Sequence, residues 1–225
     1  MKKLLAFGLV GLAAACGGDQ AGAPVSFSDP FCADAIPRVQ TWVAQQREAN
    51  PVPDDPRYGG TAVLGSIGEL AQGLNVASSS DYSSVQHQMF VGLMTLIDYD
   101  EDIQPRPYLA ESWDVSEDGT ELTFRLRDDV YWHDGELTDA EDVAFTYRMV
   151  TNPETAFPNA AFWDYYVRGP DGVEVLDQFT VRVNLQPHSE FLNAWSTVAI
   201  LPEHLLGDVA PTEIAQHPYG TVCPV

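Results

Sequence analysis

The chain has 225 residues, 33 of them acidic and 11 basic, for a net charge of −22 at neutral pH. This length holds one to two domains with a core of their own, and 45% hydrophobic, 11% aromatic and 20% charged residues exclude disorder, collagen-like sequence and a coiled coil. So acidic a surface repels phosphate backbones and anionic lipid headgroups, which excludes nucleic acid as a partner and docking on a membrane through a basic patch.

Lys2 and Lys3 precede an apolar run from Leu4 to Leu12, followed by Ala13-Ala14-Ala15-Cys16-Gly17-Gly18. The run is too short to cross a bilayer, which takes about 20 apolar residues, and has the form of a signal peptide over residues 1–15. The cysteine after three alanines resembles a bacterial lipobox, with Leu12 one place earlier than usual and Ala13 in its position. On that reading Cys16 receives a diacylglycerol and tethers the chain outside the membrane, in the periplasm or at the cell surface. The plainer alternative is a secretory signal cut after Ala15. Outside the cytoplasm a disulfide is permitted. With Cys16 lipidated, Cys32 and Cys223 are the intramolecular pair available. Their spacing in sequence says nothing of distance in space, so the pairing stays open.

Residues 17–30 are small and polar and read as a flexible spacer. Residues 35–49 are expected to form a short helix with Val39, Trp42 and Val43 on one side. Pro51-Val52-Pro53-Asp54-Asp55-Pro56 ends it as a second linker. Anchor, linker and helix thus occupy 16–58, and the folded body runs from Gly59 to Val225. Thr61–Ile67 is a predicted strand, and Val85, Met89, Phe90, Leu93, Met94 and Ile97 predict a helix over 83–97 with one buried face. Asp118-Gly119 predicts a hairpin between Ala110–Ser116 and Glu121–Arg127, with Leu122, Phe124 and Leu126 facing inward. A second Asp-Gly turn lies in His133-Asp134-Gly135-Glu136, and Thr138-Asp139-Ala140-Glu141 has the form of a capping box with Thr138 as the cap. The helix behind it carries Ala140, Val143, Ala144, Tyr147 and Val150 on one stripe and stops at Asn152-Pro153. Residues 173–176 and 179–185 predict another hairpin, 190–196 a short helix, 197–201 a strand, and 202–206 a helix with Pro202 at its start. The body is mixed α/β, rich in hairpins, without regular βαβ repeats.

Catalytic signatures are missing. There is no HExxH, GxSxG, glycine-rich phosphate loop or CxxC, and neither a metal nor a cofactor is expected. The carboxylates at Asp98, Asp100, Glu101 and Asp102 lack EF-hand spacing and read as a solvated loop. His133-Asp134-Gly135-Glu136 reads as a turn into a capped helix.

Several of these motifs belong together. Tyr108 to Gly119, Leu122 to Arg127, Tyr131 to Glu136 and Thr138 to Val143, with Gly59-Gly60-Thr61, Phe90-Val91-Gly92-Leu93 and Ile200-Leu201-Pro202-Glu203-His204 as flanks, resemble solute-binding protein family 5 from about Gly59 onward. These are the extracytoplasmic binding proteins of ABC importers for dipeptides, oligopeptides, nickel and related solutes. The resemblance implies a periplasmic-binding-protein type II-like fold, of which this chain holds part of the N-terminal lobe, since family members are more than twice as long. Such proteins trap ligand by closing two lobes, so apolar surface is expected where the rest would pack. It implies a peptide or other small solute as ligand, and a permease and its ATPase as partners, without catalysis. The loop Gly68-Glu69 corresponds to one at the family's cleft. Glu69 there is either a partner for a peptide ammonium or a surface carboxylate. The aromatic run Phe157, Phe162, Trp163, Tyr165, Tyr166 is either pocket wall or core. The rival readings are an envelope lipoprotein with a structural or interaction role and no transport function, and an envelope hydrolase.

Overall fold

The computed structural model describes residues 29–51, 53, 74–158, 160–186, 191–220 and 223. Cys16, the start of the body at Gly59, the predicted strand Thr61–Ile67, and the Gly68-Glu69 loop lie outside them. The described strands are β1 Ile97–Tyr99, β2 Pro105–Pro107, β3 Ala110–Val115, β4 Glu121–Leu126, β5 Val173–Asp177 and β6 Thr180–Asn184. The α-helices are α1 Pro30–Ala49, α2 Tyr82–His87, α3 Ala140–Thr151, α4 Ala160–Tyr166, α5 Glu203–Leu206 and α6 Pro211–Ile214. None of the described helices is long and apolar enough to cross a membrane.

β1 and β2 form a small hairpin, and the other strands form an antiparallel sheet in the order β3-β4-β6-β5. Both predicted hairpins are present, and they join through β4 and β6, with Leu122 opposite Val183 and Phe124 opposite Val181. The period-two pattern sends Leu122, Phe124, Leu126, Val181 and Val183 to one buried face. Each such side chain contributes about 2 kcal/mol by leaving water. On the opposite face Arg125 pairs with Asp114 and Arg182 with Glu174. Gly119 closes the β3–β4 turn at φ 68°, a conformation that glycine adopts without strain.

The stripe of α3 lies against the sheet, with Ala140, Val143, Ala144, Tyr147 and Val150 fully buried. Its cap is Asp139, one residue beyond the expected Thr138. The Thr138 N–H is bonded to the Val130 carbonyl at 2.9 Å, which keeps that residue extended. Asp139 accepts from the Glu141 N–H at 2.9 Å, and Asp142 reaches back to the Asp139 N–H at 3.1 Å.

The helix expected over 83–97 ends early. α2 runs into a π turn over Gln88–Gly92, where the Leu93 N–H reaches the Gln88 carbonyl at 2.8 Å. Beyond it the Thr95 and Leu96 carbonyls accept from the Leu109 and Ala110 N–H groups, and Ile97 opens β1. Long-range pairing overrides the helical spacing of the apolar residues. The buried side of α2 and its turn is also polar, carrying Ser83, Ser84 and Gln88, while Val85 and Met89 are half-buried. Residues 197–201 form no strand. They hold on through separate bonds, the Ile200 N–H to the Met94 carbonyl and the Leu201 N–H to the Thr146 hydroxyl. Phe191–Ser196 is a 3-10 turn.

α1 begins five residues before the expected start at 35, inside the segment read as spacer. Asp29 accepts from the Phe31 N–H at 2.9 Å, and Pro30 occupies the first turn, where its missing N–H costs nothing. The helix lies on the body rather than apart from it. Cys32 and Cys223 are joined by a disulfide with their Cα atoms 5.8 Å apart. Cys32, Ala35, Val39 and Cys223 form a small second core. The Arg38 guanidinium donates to Asp134 at 3.0 Å, and His204 meets the same carboxylate at 3.2 Å. Burial raises the Asp134 carboxyl, but the bonds from His204 and the Glu136 N–H, with the Arg38 charge, outweigh it and hold the group below the ordinary Asp value. Trp42 lies on Gly135, where an added Cβ would come within 2.8 Å of the indole and the φ of 94° already favours glycine.

Candidate functional site

The described residues enclose a cleft of about 320 Å³ beside α2 and α4. One wall is the loop Val76, Ser79 and Ser80 together with Val85, Gln88 and Met89 of α2 and its π turn. Phe157, Pro158, Phe162 and Trp163 also line it, as do Thr197 to Ala199. The cleft therefore brings together Phe157, Phe162 and Trp163, the aromatic candidates from the sequence. Tyr165 points to solvent and Tyr166 is buried. Gly68 and Glu69, the other candidates, lie outside the described residues. The Cys32–Cys223 disulfide shares no lining residue with the cleft.

The short helix α4 sorts the aromatic run. Adjacent positions on a helix point in different directions, so Phe162 is 40% exposed while Trp163 is 1% exposed. Trp163 is thus core and cleft wall at once. Its ring packs on Tyr147 of α3 at 5.0 Å and on Trp195 at 5.4 Å, and Trp195 packs edge-on against Phe124 of β4 at 5.5 Å. This aromatic column runs from the sheet to the cleft and gives the wall a rigid backing. Burial raises the Tyr147 phenol above its ordinary value, so it stays a neutral donor.

Val85 and Met89 are cleft residues that the sequence pattern assigned to a buried helix face, and Gln88, which it did not single out, lines the cleft beside them. Helical spacing marks which residues share a face but not which face meets the core, so only the placement of α2 reveals them. Polar atoms in the cleft wall and the core behind it are not all matched. The Gln88 Nε2, the Tyr147 hydroxyl and the Trp195 Nε1 are sealed from solvent with no hydrogen-bond partner. No described group of three or more His, Cys, Asp or Glu side chains is arranged to hold a metal ion. The acidic stretch at Asp98–Asp102 runs from β1 into the β1–β2 turn: Asp98 pairs across the strands with Arg106, and Asp100 accepts from the Asp102 and Gln104 N–H groups.

Comparison with known proteins gives this geometry a context. Residues 104–221 match the family described as bacterial extracellular solute-binding proteins, family 5 Middle. The chain is 27% identical over 172 residues to the oligopeptide-binding protein AppA of Bacillus subtilis, covering 76% of this chain and 31% of that protein. It is 33% identical over 116 residues to the periplasmic oligopeptide-binding protein OppA of Escherichia coli, covering 46% and 21%. Among solved structures, NikZ of Campylobacter jejuni in complex with Ni(L-His) superposes with a TM-score of 0.56 at 31% identity, covering 67% of this chain and 29% of that one. AppA of Bacillus subtilis in complex with a nonapeptide superposes with a TM-score of 0.59, covering 64% and 28%, and at 24% identity it speaks to the fold alone. The chain spans about a third or less of the length of these relatives.

Proposed function

This chain belongs to the bacterial extracellular solute-binding proteins of family 5, and from that premise we propose that it is part of a binding protein that captures a peptide or related small solute outside the membrane and passes it to the permease and ATPase of an ABC importer. Its role is recognition and delivery, without catalysis. The observation that carries this reading is the cleft walled by Phe157, Phe162 and Trp163. Concave sites lined by apolar and aromatic side chains with a few polar groups are the ordinary form of a small-molecule site. The relatives named oligopeptide-binding proteins supply the ligand class. On the same reading Gly68 and Glu69 belong to this surface, with Glu69 taking a peptide ammonium. Residues 59–225 form the start of the binding domain, and the exposed aromatics of the flanking helices, Tyr82, Phe162 and Tyr165, face ligand or the remainder of the protein.

Calorimetric titration with a mixed pool of short peptides tests it. Because the chain spans about a third of its relatives and such proteins trap ligand by closing two lobes, it is expected to bind weakly, and Phe162→Ala to weaken that binding about tenfold further, which corresponds to the 1–1.5 kcal/mol typical of one aromatic contact. Phe162 is 40% exposed, so the variant keeps its stability within about 1 kcal/mol. Absence of any heat from the pool, or full affinity in the variant, would count against the assignment.

We further propose that residues 1–15 are a signal peptide and that Cys16 carries the lipid anchor. The residues behind this are the short positive start, the apolar run and Ala13-Ala14-Ala15-Cys16. Mass spectrometry of the membrane-associated protein is expected to find a mature chain starting at a diacylglyceryl Cys16, and an unmodified cysteine there refutes the anchor.

A further inference from the structure

The head of α1 is fastened to the body by a covalent bond and by packing. Cys32, in the first turn of the helix, is joined to Cys223 with the Cα atoms 5.8 Å apart. Both residues are fully buried, together with Ala35 and Val39. Phe31 packs edge-on against His217 with ring centroids 4.7 Å apart, and Asp29 caps the helix through the Phe31 N–H at 2.9 Å. The Cys223 end is held as firmly. Its N–H donates to the Pro218 carbonyl, and its carbonyl accepts from the Gly220 N–H. The Gly220 carbonyl accepts in turn from the Leu74 N–H at 2.6 Å, and the Asn75 amide donates to the Ile214 carbonyl at 2.8 Å. Everything between the two cysteines, the stretch after α1 included, lies inside one covalent loop of 191 residues.

We propose that this junction is where the membrane tether ends: the disulfide makes α1 part of the body, so that residues 17–28 alone set how far the body stands from the bilayer. This rests on the reading that Cys16 carries the lipid. Asp29 follows Cys16 by thirteen residues, and a chain of that length spans at most about 45 Å. With α1 undocked the tether would run on to Leu74, where the body is next held, and its fully extended limit would be about 200 Å. A net charge of −22 gives the body no attraction to anionic headgroups, so the tether sets the distance. A short tether also favours hand-over to a permease in the same membrane, because effective concentration falls roughly as the −3/2 power of linker length.

The test is energy transfer on the lipidated chain in phosphatidylglycerol-containing vesicles, from a dye at the exposed Leu176, introduced with a non-natural amino acid, to acceptor headgroups. An insert of about 24 Gly/Ser residues between Gly22 and Ala23 raises the limit of the tether to about 125 Å and is expected to lower transfer about twofold. The same insert between Pro53 and Asp54 lies inside the disulfide loop and is expected to leave transfer unchanged. Lengthening a connection in this way costs little stability, since closure entropy grows only with the logarithm of length. Equal loss from the two inserts would make α1 part of the tether and overturns the inference. Transfer indifferent to both overturns it too, because another surface would then be holding the body. Either result leaves the anchor standing. A chain that does not float with the vesicles and carries an unmodified Cys16 overturns the anchor reading and this inference with it.

Discussion

Reduction of the Cys32–Cys223 disulfide is expected to lower the stability of the protein by about 5 kcal/mol. The bond closes a loop of 191 residues, and the cost of closing a loop in the unfolded chain grows with the logarithm of its length, which places a loop of this size at the upper end of disulfide effects. The loss should appear as a fall of roughly 10–20 °C in the melting temperature for a chain of this size. The double variant Cys32→Ser/Cys223→Ser should melt where the reduced protein does and should ignore reductant. Part of the loss is local. Both cysteines are fully buried with Ala35 and Val39 in the small core under α1. Without the bond the helix is still held by Ala35 and Val39 in that small core, by Phe31 on His217, by Arg38 on Asp134 and by Trp42 on Gly135 and Tyr131. A melting temperature indifferent to reductant would show that the two sulfurs are not joined in the protein.

Asp142→Ala is expected to cost about 3 kcal/mol at pH 7, and the gap from the parent should be about 2 kcal/mol wider at pH 4. Asp142 is 3% exposed at the start of α3. One oxygen accepts from the Trp132 indole at 3.0 Å and the Asp139 N–H at 3.1 Å, and the other from the Glu203 N–H at 2.7 Å. The carboxylate therefore ties α3, the turn before it and α5 together, and its removal leaves three buried donors unpaired. Burial pushes its pKa up to about 6, against the downward pull of those hydrogen bonds. The sign follows from linkage. Between the unfolded value of 3.8 and the folded value of about 6 the native state holds a proton that the unfolded chain has released. The contribution of this group to stability is then largest below pH 4 and falls as pH rises through 6. The alanine variant has no such proton, so urea unfolding of both proteins at pH 4 and pH 7 isolates the effect. A gap that stays constant or narrows on acidification would rule out a raised pKa at this site.

Much of the local structure is written in adjacent residues. Asp118-Gly119 and Asp134-Gly135 mark turns because glycine adopts positive φ freely, and both are turns here. The alternation in Leu122, Phe124 and Leu126 and the stripe of α3 state which side of each element is dry, and every one of those residues is buried. The family resemblance rests on the same stretches, and the match over 104–221 covers them. Where local signals competed, neighbours in space decided. Thr138 looks like a cap, but its N–H is taken by Val130, so the cap moves to Asp139. Leu93, Met94 and Ile97 continue a helical spacing, but backbone groups at Thr95 and Leu96 pair with Leu109 and Ala110.

By itself the amino-acid sequence determined the turns, the dry face of the β3–β4 hairpin and of α3, the acidic character, and the family. These depend on backbone sterics and on the period of hydrophobicity, which act over a few residues. Only the tertiary structure decided the strand order β3-β4-β6-β5, the docking of α1, the meeting of Cys32 with Cys223, and the gathering of Gln88, Met89, Phe162 and Trp163 around one cleft. Each of these joins residues far apart along the chain. Such contacts are chosen by the burial of whole faces against one another, a quantity that no short window of sequence contains.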